Sequence, residues 1–334
     1  MRKIFSLFTA SLLAVMFASP CCAANITVSI FPVYDWVREI SKGVSNDITL
    51  LLDSGADLHS YQPSAEDIVR IAGSDLFVYV GGESDEWAEN ALKVPGKKSR
   101  RVINLLDVLG DSVKPEEIVE GMQHEHEHED HEAEHHHEHE DHDHESAHKH
   151  EKHGHAEPDE HIWLSLRNAE IICRKLAETL AEIDPSHKNI YASNLASYTE
   201  KLSSLDKEYI SMVKDSARKV ILVADRFPFR YLADDYGLKY YAAFSGCSAE
   251  SEASFETVIF LAQKSDELNL PCVLKIDGAN HKIAETVINS SKNHGRKILV
   301  LDSMQSAARK DIDAGKTYLG VMRSNLEILK EALN

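Results

Sequence analysis

Between His124 and His155 the chain places fourteen of its nineteen histidines, alternating with glutamate and aspartate. Neutral imidazole is the commonest side-chain ligand for zinc and also suits nickel and copper, so such a run can collect several cations without a preformed site. A purification tag would be a terminal homopolymer, whereas this tract is internal and alternating. Apart from scattered alanines it has nothing to bury, and a disordered insertion is expected over residues 122–158. Four residues elsewhere could form an ordered centre: His59 in GADLHSYQPS, His161 in DEHIWLS, Asp225 in VADRFPF and Asp302 in VLDSMQS. Two imidazoles and two carboxylates meeting in one cleft would make a four-ligand site for a borderline divalent cation. Each has a plainer reading. An aspartate after a strand often caps the next helix, and His59 and His161 could be surface histidines. Tyr61 and Trp163 read as packing walls beside them.

Placing these residues falls to the elements around them. Before the tract, the apolar runs Ile26–Phe31, Ile48–Leu52, Leu76–Val80 and Val102–Leu105 predict short buried strands. Helices such as Val33–Ser41 and Ser64–Ala72 come between them, the second opening on a serine with acids in the first turn. After the tract, Leu166–Ile183 predicts a helix that Asp184-Pro185 stops. The strand–helix rhythm then returns, with strands at Val220–Ala224, Leu238–Ala243, Cys272–Ile276 and Ile298–Leu301. Helices are expected over Phe229–Tyr236, Phe255–Leu268, Lys282–His294 and Gly315–Leu333. Two sets of alternating units imply an α/β protein of two lobes, each a parallel sheet flanked by helices. A long rigid helix over 186–217, about 48 Å at 1.5 Å per residue, would join them. The expected division is a signal peptide at 1–24, an amino-terminal lobe at 25–185, this connector, and a carboxyl-terminal lobe at 218–334. His59, Asp225 and Asp302 stand just past predicted strands, where open α/β sheets bind ligands.

Arg2 and Lys3 followed by the apolar stretch Ile4–Ala18 and small residues read as a secretory signal. Cys21 or Cys22 offers an alternative, a lipidated amino-terminal cysteine, although no leucine stands three positions ahead of them. The expectation is an exported protein in the periplasm or at the cell surface. Net charge is −19, much of it from the histidine-rich tract, which argues against nucleic acid and against an anionic membrane surface as partners. Of Cys173, Cys247 and Cys272, only the last two are candidates for a disulfide pair, and sequence leaves that open.

These segments resemble the metal-binding solute-binding proteins of zinc and manganese ABC transporters. GADLHSYQP is similar to that family's GADPHSYEP, and DEHIWLSLRNA to its DPHVWLDPxNA. DPSHKNIYASNLASYTEKL matches its connecting helix, TYLGVMRSNLEIL its last helix, and LDSM stands where it has LDPL. The resemblance implies His59, His161 and Asp302 as ligands, Zn²⁺ or Mn²⁺ as cargo, an ABC permease as partner, and no enzymatic step. It breaks at the third ligand, where DRFPFRYLADDYGL replaces HDAYGYFEKQFGL. Without a gap Arg226 falls on the ligand position, and a guanidinium cannot coordinate a cation. One extra residue puts Asp225 there. Cys247 in FSGCSAES or a histidine of the tract is the alternative third ligand. Zinc is favoured over manganese by the tract's imidazoles. The expectation is a monomeric receptor; its rivals are an exported zinc hydrolase, for which no HExxH is present, and a surface metal buffer or adhesin.

Overall fold

The structure is a computed structural model that describes residues 24–123, 157–248 and 252–334. The expected signal segment, with Cys21 and Cys22, lies outside the described residues except for Ala24, and so does the histidine-rich tract at 124–156. The first lobe runs β1 (Asn25–Val28), α1 (Phe31–Ile40), β2 (Asp47–Leu50), α2 (Ala65–Gly73), β3 (Leu76–Tyr79), α3 (Glu86–Lys93), β4 (Arg101–Asn104) and α4 (Leu105–Leu109). Then come α5 (Leu166–Ile183) and the connector α6 (Lys188–Asp215). The second lobe follows as β5 (Val220–Arg226), α7 (Arg230–Tyr236), β6 (Lys239–Phe244), α8 (Phe255–Glu267), β7 (Cys272–Ile276), α9 (Lys282–Ser290), β8 (Lys297–Leu301), α10 (Arg309–Asp313) and α11 (Tyr318–Ala332).

Both sheets are wholly parallel and share one layout, β2-β1-β3-β4 and β6-β5-β7-β8. Parallel sheets need helices on both faces, so their inner strands are apolar throughout; β7 is buried at all five positions. Helix starts follow local chemistry. Ser64 Oγ accepts the Asp67 N–H while Asp67 accepts the Ser64 N–H, a reciprocal cap on α2. Ser165 caps α5 by accepting the Asn168 N–H, and Thr317 caps α11 by accepting that of Gly320.

The connector α6 has 28 residues, about 42 Å at 1.5 Å per residue. Tyr191, Tyr198, Leu202, Leu205, Tyr209 and Val213 form its buried stripe. It is bonded to both lobes: Asn194 Nδ2 donates to the carbonyls of Ile40 and Lys42, and Tyr209 Oη donates to that of Met322 at 2.5 Å. The lobes also meet directly. The Trp36 and Tyr318 rings pack edge to face at 5.0 Å, the Tyr318 N–H donates to buried Asp35, and Trp163 Nε1 donates to the Ser303 carbonyl. One continuous apolar core therefore includes residues of both lobes. Among the described residues no helix is long and apolar enough to cross a membrane.

Two details differ from the sequence reading. β5 does not stop at Ala224 but runs to Arg226, with one extra residue against β6 between Val223 and Arg226. That bulge puts Asp225 inside the strand. Cys247 and Cys272 are free, as is Cys173. Cys272 opens β7 inside the second lobe, while Cys247 lies in the loop after β6.

Asn325 of α11 clips the chain after β8 in place: its Oδ1 accepts the Asp302 N–H at 2.9 Å and its Nδ2 donates to the Asp302 carbonyl at 2.8 Å. An unpaired buried main-chain group costs about 1–3 kcal/mol. Asn325→Leu, which keeps volume but pairs neither group, should lower stability by at least about 2 kcal/mol in urea unfolding. A loss below 1 kcal/mol would mean the loop finds other partners.

Candidate metal centre

His59 sits in a 3-10 turn over Leu58–Ser60 that Asp57 caps by accepting the His59 N–H. Its Nδ1 lies 2.7 Å from Ser84 Oγ. Ser84 belongs to a turn fixed by buried Asp85, which accepts the N–H groups of Val80 and Gly81. The Ser84 N–H in turn donates to Glu160 Oε1. Gly82, at φ +80°, has to be glycine, since a Cβ there would collide with the Glu160 carboxylate. His161 is fully buried, and its Nδ1 lies 2.9 Å from Asp159 Oδ1.

These partners set the tautomers. A carboxylate only accepts, so Asp159 draws the proton of His161 to Nδ1 and leaves Nε2 a bare lone pair. Ser84 can accept from His59 Nδ1 while its hydroxyl turns to Glu160, with the same result. The two Nε2 atoms face each other at 3.2 Å. With zinc–nitrogen bonds of about 2.0–2.1 Å, two ligands of a tetrahedral zinc stand roughly 3.3 Å apart. Burial, and then the neighbouring His161, push His59 down to about 3. It is neutral, as a ligand must be.

Two further groups border this pair. Among the described residues, His59, His161 and Cys247 form the group of His, Cys, Asp and Glu ligand atoms that lie within 4.8 Å of one another. Gln305 Nε2 stands 2.9 Å from His59 Nε2 and 2.8 Å from His161 Nε2. The turn that delivers Gln305 carries Met304 at φ +60°, a left-handed conformation that a side chain makes costly. Burial, and then Glu116, Glu160 and Asp159, hold the Cys247 thiol well above its ordinary range.

The two expected carboxylates, Asp225 and Asp302, are not among the atoms of the group formed by His59, His161 and Cys247, and make other bonds. Asp225, inside the β5 bulge, accepts the Arg226 N–H at 2.9 Å and a backbone hydrogen bond from Ile276, tying β5 to β7. Asp302 Oδ1 accepts the Met304 N–H, and its Oδ2 pairs with Lys316 Nζ at 2.7 Å. Arg226 does not face the centre as a donor atom either; its guanidinium pairs with Asp57 at 2.5 Å. Sequence reading passed over Gln305, although it lies in the quoted VLDSMQS, because a carboxylate three residues earlier was the stronger ligand type. Asp159 carried a signal in its place two residues before His161. Ser84 carried none.

The family described as "ZnuA: Zinc-uptake complex component A periplasmic" matches residues 26–332. The chain belongs to this family. The match takes in both sheets, the connector and all residues of the centre. The zinc-binding lipoprotein AdcA of Streptococcus pneumoniae is 31% identical over 99% of this chain. The chain spans 61% of the length of that relative. The high-affinity zinc uptake system protein ZnuA of Bacillus subtilis is 29% identical, covering 92% of this chain and 87% of its own length. Among solved structures, the Zn(II)-bound ZnuA-like domain of S. pneumoniae AdcA superposes with a TM-score of 0.68 at 26% identity, over 93% of this chain and 99% of that domain. The laminin-binding protein Lmb of Streptococcus agalactiae gives 0.71 at 25% identity, over 94% and 100%.

The displaced titration of His59 links to stability. In the unfolded chain it gains a proton as pH falls through about 6.5, while the folded residue stays neutral to about 3. Its share of stability is therefore whole at neutral pH and is lost as pH falls across that window. Compared with metal-free His59→Gln protein, the unaltered metal-free chain should lose ground at up to about 1.4 kcal/mol per pH unit below pH 6. Urea unfolding at several pH values reads this difference. A gap independent of pH would show that His59 titrates alike in both states.

Proposed function

We propose that this chain is the capture receptor of a zinc-uptake system. Exported from the cytoplasm, it takes Zn²⁺ as cargo at the His59–His161 centre and hands it to an ABC permease. The observation that carries this reading is the pair of buried imidazoles with Nε2 atoms 3.2 Å apart and each Nδ1 held by a polar partner. That arrangement serves a cation with tetrahedral spacing and no obvious other purpose. Membership of the zinc-uptake family, and relatives named for zinc binding, support the choice of metal. No bond-breaking step is required of the chain.

The histidine-rich tract fits the same reading as a collector. Five residues lie between His155 and His161, a reach of at most about 22 Å. An ion held weakly on the tract is thereby kept at high local concentration near the tight centre. Tract imidazoles compete with protons near pH 6.5, so their loading falls as pH drops through 6.

Two outcomes test this. In protein lacking residues 124–155, which removes rescue by tract histidines, His59→Ala or His161→Ala should weaken tight zinc binding at least tenfold, about 1.4 kcal/mol. Unchanged affinity in both variants would remove the centre from the account. Calorimetry on the full and shortened chains should show several weak sites vanish and one tight site stay. Equal stoichiometry would mean that the tract holds no metal.

A further inference from the structure

We propose that Cys247 and Gln305 complete the zinc shell that His59 and His161 begin, giving two imidazoles, a thiolate and an amide oxygen. This rests on the reading that the centre takes zinc. It concerns which atoms hold the ion and which ions are refused.

The geometry points to Gln305 through its unused atom. As placed, its NH₂ group lies against two bare imidazole nitrogens, and its Oε1 is buried with no hydrogen-bond partner. The residue is only 3% exposed. A buried amide oxygen without a partner costs about 1–3 kcal/mol. A half-turn about the terminal bond exchanges NH₂ and oxygen with almost no change in shape. With an ion between the imidazoles, the donor would face a cation and the acceptor would face nothing; the half-turn corrects both at once. Gln305 thus serves the empty and the loaded centre with different atoms.

Cys247 is delivered by a loop built against the histidines. Its own N–H donates to Glu116 Oε1 at 2.8 Å, and the backbone N–H of Glu160 is directed at its sulfur. Backbone donors of that kind stabilise negative charge on sulfur. Gly246 lets the loop close on the site, because a Cβ there would stand 3.0 Å from the His161 ring. On binding, the thiol proton leaves to solvent as the sulfur–zinc bond forms, and no oxidation state changes. Asp225 and Asp302 keep the bonds they already make.

The chemical consequence is selectivity. Thiolate is a soft donor that suits zinc and disfavours manganese, magnesium and calcium, whose preferred ligands are oxygens. Against two carboxylates, a thiolate and a neutral amide lower the anionic charge of the shell by one, so less of the affinity is unselective attraction to a dication.

Cobalt(II) is the probe, since a cobalt–thiolate bond gives an intense charge-transfer band in the near ultraviolet that imidazoles and carboxylates do not. The full chain with one equivalent of Co²⁺ should show this band, zinc should erase it, and Cys247→Ser should abolish it while weakening zinc at least tenfold. Gln305→Leu should weaken zinc at least tenfold and keep the band; Gln305→Glu should bind at least as tightly as the unaltered chain. Cys247→Asp should raise affinity for Mn²⁺ relative to Zn²⁺ at least tenfold. Tight zinc binding by a chain that shows no band overturns the thiolate and leaves the receptor reading standing. Full affinity in Gln305→Leu, both in the full chain and in protein lacking residues 124–155, overturns the amide. Failure of the unaltered chain to bind zinc tightly overturns the receptor reading and this inference together.

Discussion

Two nitrogen lone pairs held 3.2 Å apart in a largely buried site repel unless something positive lies between them. Everything around the centre can be understood as the means of keeping that arrangement. Asp159 and Ser84 hold the ring protons on the far nitrogens, which leaves the two facing nitrogens free to act as donors to a cation. The Gln305 amide places a mild positive charge against both nitrogens. His59 and His161 come from the first lobe, and Gln305 and Cys247 from the second, so the centre exists only while the lobes stay docked. The edge-to-face pair of Trp36 and Tyr318, and the hydrogen bond from Trp163 to Ser303, tie the two lobes together.

The surroundings favour a cation in a second way. Glu160 is buried, and its Oε2 has no hydrogen-bond partner while lying 3.8 Å from His59 Nδ1. Burial raises its affinity for a proton. A dication at the imidazoles would offset part of that cost from a few ångströms away. Arg226 is near enough to lower the proton affinity of His59, and its pairing with Asp57 offsets part of that charge.

Much of the architecture could be read from residue order. All eight strands and the long connector lie where apolar runs and the Asp184-Pro185 stop place them, because burial in a parallel sheet leaves an apolar run that needs no tertiary context to recognise. α3 and the short α10 were not legible; Glu86–Lys93 has few apolar residues and is held mainly by Trp87 and two alanines. At the centre the histidines were legible from their segments, as ligand type and neighbouring residues coincide there. The rest depended on a bulge and a turn. One additional residue in β5 turns Asp225 toward β7, and the left-handed Met304 carries the chain past Asp302 to present Gln305. Neither event has a composition signal, since both are decided by how strands register with their neighbours.

The connector has one further consequence. A helix of 28 residues bonded at Asn194 to one lobe and at Tyr209 to the other acts as a strut, not a hinge. Swinging the lobes wide apart would break those bonds, part the rings of Trp36 and Tyr318, and expose core shared by both sides. An ion in this centre therefore does not leave by the cleft gaping open. On the proposed reading, departure would proceed as ligand substitution, one donor at a time, with an incoming group taking each vacated coordination position. The residence time of the cargo would then be set by how readily a small loop yields its donor, and a docking partner would shorten it by touching that loop alone.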